Sequence, residues 1–259
     1  MLSRPSGPRG VTVSFIAASL AVVFAGVAYG LAGFGFVMVS VPLLLMVYPT
    51  QTAVTTGILL SMMTGWMILP AAWREIQLRT VLALLPGAVL GIGLGIALLR
   101  VLAVDAVRLL TSLVVVTFAI AMIRGWVPRR MDSRLAPGTA GMVSGALGAT
   151  TGMNGPPVVL LFVARGYAIH AFRASLVTYF LLVNAVALSA RIWVGETGWT
   201  DLQTALFLLP AAIVGTAVGR RLVPRVPIAV FRRFVLVLVL LAGFVGVATA
   251  VRPLLLSIA

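Results

Sequence analysis

The sequence has no cysteine, no lysine, one histidine and only five acidic residues in 259. Without cysteine there is no disulfide, no thiol nucleophile and no thiolate-held zinc or iron–sulfur site. With His170 alone, a multi-histidine metal site within one chain is excluded as well. Charge is scarce: 9% of residues are charged and 61% hydrophobic, with a mean hydropathy of +1.17. A soluble domain carries about a quarter charged residues, so the apolar excess must face lipid or lie inside a membrane bundle. Nothing resembles a phosphate-binding P-loop, which argues against ATP drive within this chain. No acid lies inside an apolar run, so the carboxylates that commonly carry protons or sodium through membranes are missing. Any ion coupling would have to use backbone carbonyls, hydroxyls, the substrate's own charge, or helix-end acids such as Glu75, Asp105 and Asp201. The same scarcity of His, Cys and buried acids argues against an enzyme, and no cofactor or metal is implied.

What charge there is comes from nineteen arginines, giving a net charge of +14. They sit mostly in short loops between apolar runs, which reads as cytoplasmic-side topology and lipid headgroup contact rather than nucleic-acid binding. The first apolar run continues too long, and lacks a small-residue cleavage site, to be a removed signal peptide. A spanning helix needs about 20 apolar residues. On that measure eight elements are expected, at about 11–48, 51–73, 80–99, 106–126, 137–165, 172–193, 202–222 and 229–251. The most polar linker, "PRRMDSRLAP" (Pro128–Pro137), divides the chain near its middle.

The two halves resemble each other. "LPGAVLGIGLG" (Leu85–Gly95) matches "LPAAIVGTAVG" (Leu209–Gly219), with Pro86, Gly91 and Gly95 falling on Pro210, Gly215 and Gly219. Upstream, "AGVAYGLAGFGF" (Ala25–Phe36) lies over "SGALGATTGMNG" (Ser144–Gly155), pairing Gly26 with Gly145 and Gly33 with Gly152. The expected division is a tail 1–10, a first repeat 11–127, a linker 128–136, a second repeat 137–251 and a tail 252–259. If 137–165 is a re-entrant hairpin, segments 124–136, 165–173 and 220–233 share a side and hold four, two and five arginines. The opposite side then holds one each at 191–201 and after 251. If the element spans instead, the five-arginine loop faces away from the four-arginine linker, so the hairpin fits better. Three spans plus a hairpin per half make the halves inverted, the usual repeat design of secondary transporters. The expected fold is thus an all-α polytopic membrane protein of two inverted repeats, each a broken or re-entrant hairpin plus three transmembrane helices.

Both broken elements are interrupted at glycine, and whether 11–48 folds back or spans stays open. "TTGMNGPPVVLLFVARG" (Thr150–Gly166) sets Gly152 and Gly155 around Asn154, followed by Pro156-Pro157. Proline lacks an N–H and suits the first turn of a helix, so a second arm starts there. Its start offers unpaired backbone N–H groups at the positive end of a helix dipole, a natural seat for an anion. "GLAGFGF" (Gly30–Phe36) is the counterpart, with "VMVSVPLLL" as its second arm. If the tips are inverted, two helix N-termini face one cavity near the midplane. The candidate substrate-binding set is Gly33, Phe34, Gly35, Phe36, Thr150, Thr151, Gly152, Met153, Asn154, Gly155 and Pro156. Asn154 and Asn184, the only asparagines, serve either as amide donors to an oxyanion or as interhelical glue. The threonines either donate to the site or bond back to their own helix; Phe34, Phe36 and Met153 read as packing or gate. Arg74 and Arg191 are candidates for an anion vestibule, or anchors whose stems snorkel. Trp66 fits an interfacial or pore-lining place, and His170 an exposed loop. The G-x-x-x-G pairs Gly91/Gly95 and Gly215/Gly219 read as close helix packing.

At "GFGFVMVSVPLLL" (Gly33–Leu45) and "GATTGMNGPPVVLLFVARG" (Gly148–Gly166) the chain resembles the TauE/SafE family of sulfite-exporter-like anion permeases. The resemblance runs from about residue 11 to 251. Many relatives carry consecutive glycines where this chain has Ala32-Gly33-Phe34-Gly35-Phe36. The resemblance implies transport of sulfite, sulfoacetate or related organosulfonates across a bacterial inner membrane, with no enzymatic step. By position it assigns Gly33 and Gly35 to the first motif and Gly152, Asn154, Gly155 and Pro156 to the second.

The expectation is a secondary transporter whose halves move against each other to alternate access. Its partners are a small anion and the bilayer; a homodimer stays open. The rivals are an anion channel of the same fold, a permease for a small carboxylate, and a subunit that assembles without transporting.

Overall fold

Glycine and proline punctuate an otherwise helical chain, and the elements follow that punctuation. The computed structural model describes residues 8–101, 117, 120, 133–151, 154–193, 195, 197–227, 230, 233 and 237. Within them are eight α-helices: α1 Pro8–Ala32, α2 Phe36–Leu44, α3 Thr50–Ile68, α4 Leu78–Val101, α5 Ala136–Thr151, α6 Gly155–Ala164, α7 Ile169–Trp193 and α8 Trp199–Leu222. The described residues contain no strand. The expected elements 106–126 and 229–251 lie outside the described residues apart from isolated positions.

The element 11–48 is two helices, interrupted at Gly33–Gly35. Gly33 and Gly35 have φ of 79° and 90°, a region that side chains with a Cβ rarely enter. The element 137–165 is likewise two helices, and α6 opens on Gly155-Pro156-Pro157 with proline in its first turn. Four stretches are long and apolar enough to cross a membrane: Ser14–Ala32, Leu78–Leu98, Ile169–Trp193 and Trp199–Arg225. The 19-residue α3 is more polar, and it buries Thr55, Thr56, Ser61 and Thr64 inside the bundle. Two of these hydroxyls bond back to their own helix, Ser61 to the Ile58 carbonyl (2.8 Å) and Thr64 to that of Leu60 (2.7 Å).

The glycine pairs decide the packing. α1 lies on α8, and α4 on α5. In the first seam Gly26 faces Ala212, and Gly30 faces Thr216 and Gly219. In the second, Gly87 faces Gly138, Gly91 faces Met142 and Gly95 faces Ala146. A methyl at Gly91 or Gly215 would overlap a backbone carbonyl of the neighbouring helix, so these helices touch main chain to main chain. Residue numbers rise together along each seam, so both pairs run parallel. Each seam joins the first helix of one half to the fourth described helix of the other. The remaining contacts exchange in the same way: α2 on α3 and α6 on α7, α4 on α7 and α3 on α8, with α3 against α7 between them.

Two apolar cores fill this frame. One holds Phe34, Val158, Phe162, Phe172, Leu176 and Tyr179. The other holds Tyr29, Phe36, Leu44, Leu60, Val177 and Leu208. The first break sits where these cores meet, with Phe34 in one and Phe36 in the other.

Candidate anion site

A helix broken in an apolar surrounding must settle its loose backbone groups. At the first break, the end of α1 is held by Arg173, whose Nη2 donates to the Gly30 carbonyl. A cation suits that place, since a helix C-terminus carries unpaired carbonyls and the negative dipole end. The Gly33 N–H bonds back to Tyr29 (2.7 Å). α2 then begins at Phe36, after Gly35 in the left-handed conformation. At the second break the Asn154 carbonyl accepts from Ser144 Oγ (2.5 Å), and Ser144 Oγ accepts from the Tyr179 hydroxyl (2.8 Å). This buried relay fixes the main chain at Asn154 while leaving its amide free of any capping role on α6.

The two starts come together. A Cβ added to Gly155 would meet Met38 Sδ at 3.1 Å and the Phe34 ring at 3.5 Å. Between them lies a small cavity lined by Tyr29, Gly35–Met38, Ser61, Asn154, Gly155, Phe180 and Asn184. Its volume is about 20 Å³, room for about one water. No lining residue is charged. Its polar groups are the amides of Asn154 and Asn184, the hydroxyls of Ser61 and Tyr29, and the backbone at two helix starts. Asn184 is buried and donates to Ser61 Oγ at 3.1 Å.

Of the candidate residues, Gly35, Phe36, Asn154, Gly155 and Asn184 line this cavity. Phe34 is buried behind it, packed edge-on against Phe172 at 6.5 Å. Gly33 lies against the Arg173 backbone, and Pro156 is buried in the first turn of α6. Thr150 and Thr151 end α5, with side chains outside the described set; Gly152 and Met153 lie outside the described residues. Arg191 reaches Thr55 Oγ1 from the last turn of α7 (3.2 Å). Arg74 and Trp66 are exposed and away from the cavity. Asp201 caps α8, its carboxylate accepting from the Gly198 N–H (2.9 Å).

The family model described as sulfite exporter TauE/SafE matches residues 18–245. The chain belongs to the TauE/SafE family. Membership places it among multi-pass membrane transporters of anions, and its long apolar helices agree. A curated relative, the probable sulfite/organosulfonate exporter TauE of Cupriavidus necator, is 24% identical over 206 residues, covering 78% of this chain and 80% of the relative. No solved structure matches the chain.

For this TauE/SafE chain, reading the sequence missed Tyr29, Ser61, Phe180 and the Ser144–Tyr179 relay. Ser61 had a signal: a hydroxyl in an apolar run, on the helix after a break. Arg173 was also missed as an interior residue. It was counted with the loop arginines of 165–173 although the expected element 172–193 includes it; α7 runs from Ile169 and buries it.

Proposed function

We propose that this chain is a secondary transporter of small sulfur oxyanions, sulfite or a short organosulfonate such as sulfoacetate, held between the starts of α2 and α6. The observation that carries the reading is the meeting of two helix N-termini at one uncharged cavity with two asparagine amides on its wall. The donors are the backbone N–H groups of Phe36, Val37 and Met38 on α2, and Gly155 on α6. Pro156 and Pro157 lack N–H groups, so α6 offers fewer backbone donors than an ordinary helix start. The Asn154 amide supplies the difference. Each helix end favours an anion by up to about 2 kcal/mol in partly buried geometry. A site with no fixed cation can also release its anion, which a carrier requires.

The two halves, 11–127 and 137–251 joined by 128–136, form inverted repeats in this reading. The parallel glycine seams support it. α4 and α5 start at the same end, α1 and α8 at the other, so α1–α2 and α5–α6 enter from opposite faces. α2 and α6 have nine and ten residues, about 13–15 Å at 1.5 Å per residue. That is about half the hydrocarbon thickness of about 30 Å, a length that suits second arms returning from tips inside the bilayer. Exposed Leu82, Val89, Leu90, Phe207 and Val214 then face lipid. Arg165 and the arginine-rich segment 220–233 lie on the cytoplasmic side of a bacterial inner membrane. The cavity is smaller than sulfite, so the tips must part to admit it.

The test is a binding titration with sulfite, thiosulfate, sulfoacetate, taurine and short carboxylates, followed by flux in proteoliposomes. Saturable counterflow of a sulfur oxyanion is expected. Preference for carboxylates would overturn the substrate, steady current the carrier mechanism, and absence of flux the function itself.

A further inference from the structure

We propose a second oxyanion site at the arginine-rich end of the bundle, formed by Arg173, Arg220 and Arg221 with His170 beside them. It is separate from the cavity between the breaks and stands without the reading given to that cavity.

A pocket of about 430 Å³ opens where α3 ends, α7 begins and α8 ends. Its size is in the range of small-molecule sites. The three arginines and His170 line it together with apolar residues such as Ile68 and Val223, and no acid does. Arg173 is only 6% exposed. One guanidinium nitrogen is used on the Gly30 carbonyl, while Nε has no partner. A buried N–H without an acceptor is costly. Three like charges around one hollow repel one another unless an anion joins them. Guanidinium groups bind oxyanions through paired N–H donors, and the apolar wall has room for a short organic stem. The common chemistry is a sulfur or phosphorus oxyanion, arriving free in solution or as a lipid phosphate. An occupant would act on the guanidinium that holds the end of α1, one turn before the first break.

The test uses the full chain in nanodiscs, with radiolabelled sulfite as probe. In zwitterionic lipid, wild-type protein should show an oxyanion-binding class that Arg220→Gln/Arg221→Gln weakens at least tenfold. The charge-matched pair Arg79→Gln/Arg134→Gln, at exposed positions outside the pocket, should retain that class. Loss of the class when phosphatidylglycerol is added identifies lipid phosphate as the occupant in the membrane; its persistence identifies a soluble oxyanion. Binding unchanged by Arg220→Gln/Arg221→Gln, or weakened equally by the control pair, overturns the site. Asn154→Leu acts on the other class alone, so failure of the central site is read separately.

Discussion

Replacing Asn154 by alanine separates a binding role from a structural one. The Asn154 side chain caps nothing on α6, and the contact that anchors this residue runs through its main-chain carbonyl to Ser144. Alanine keeps that carbonyl, so the stability change should stay within about 0.5 kcal/mol. For a chain of this length that is a shift in Tm of less than about 2 °C. The amide matters only once an anion arrives. A hydrogen bond to a charged partner contributes about 1.5–3 kcal/mol, which is about 10- to 150-fold in Kd. Sulfite titration by calorimetry, with thermal melting of the same preparation, reads both quantities. The expected result is a weakened Kd at an unchanged Tm. A Kd within twofold of wild type would refute the assignment of Asn154 to the site. A large loss of Tm would show that the amide supports the fold instead.

Gly155→Ala should fold, since Met38 is flexible and need yield only a few tenths of an ångström. Its methyl takes up most of the cavity, so counterflow should fall at least tenfold; unchanged counterflow would place the substrate elsewhere. Gly91→Val pushes a side chain into the Met142 carbonyl and should lower stability by about 1–3 kcal/mol or more, read as a fall in Tm. Gly93→Val, on the same helix with open space around it, should be nearly silent in that measurement. Tyr179→Phe removes the donor to Ser144 and should cost about 1 kcal/mol, checked by melting. Because the chain has no cysteine, single introduced cysteines report sidedness without background. Met46→Cys, at the exposed turn after α2, should label from the face opposite Ala168→Cys, which precedes α7. Labelling of both from one face would defeat the hairpin topology.

Much of this arrangement was legible in the chain because its punctuation is local. Glycines that need positive φ, prolines that need a first helical turn, and runs free of charge mark Gly33–Gly35 and Gly155–Pro157 without knowledge of the fold. The pairing of Gly91 and Gly215 with other helices was legible as a type of contact but not as a choice of partner. The side chains that complete the cavity were hidden for a related reason. Tyr29, Ser61 and Phe180 reach it through the rotational phase of α1, α3 and α7, and that phase is set by packing between segments far apart in sequence. Arg173 fell where the expected element 172–193 overlaps the loop segment 165–173: counted with the loop it is a topology marker, and counted with α7 it is an interior cation.

The glycine seams have a mechanical consequence. α1 is fastened to α8 and α4 to α5, and each seam crosses from one sequence half to the other. Main-chain contact of this kind leaves no soft side-chain layer along which to slide. The halves are therefore cross-braced, and hinging one whole half against the other would tear both seams. Only the short helices α2 and α6 lie outside this bracing, since α3 also packs on α8 and α7 on α4. A rearrangement that keeps both seams intact is therefore confined to the two short helices that begin at the breaks.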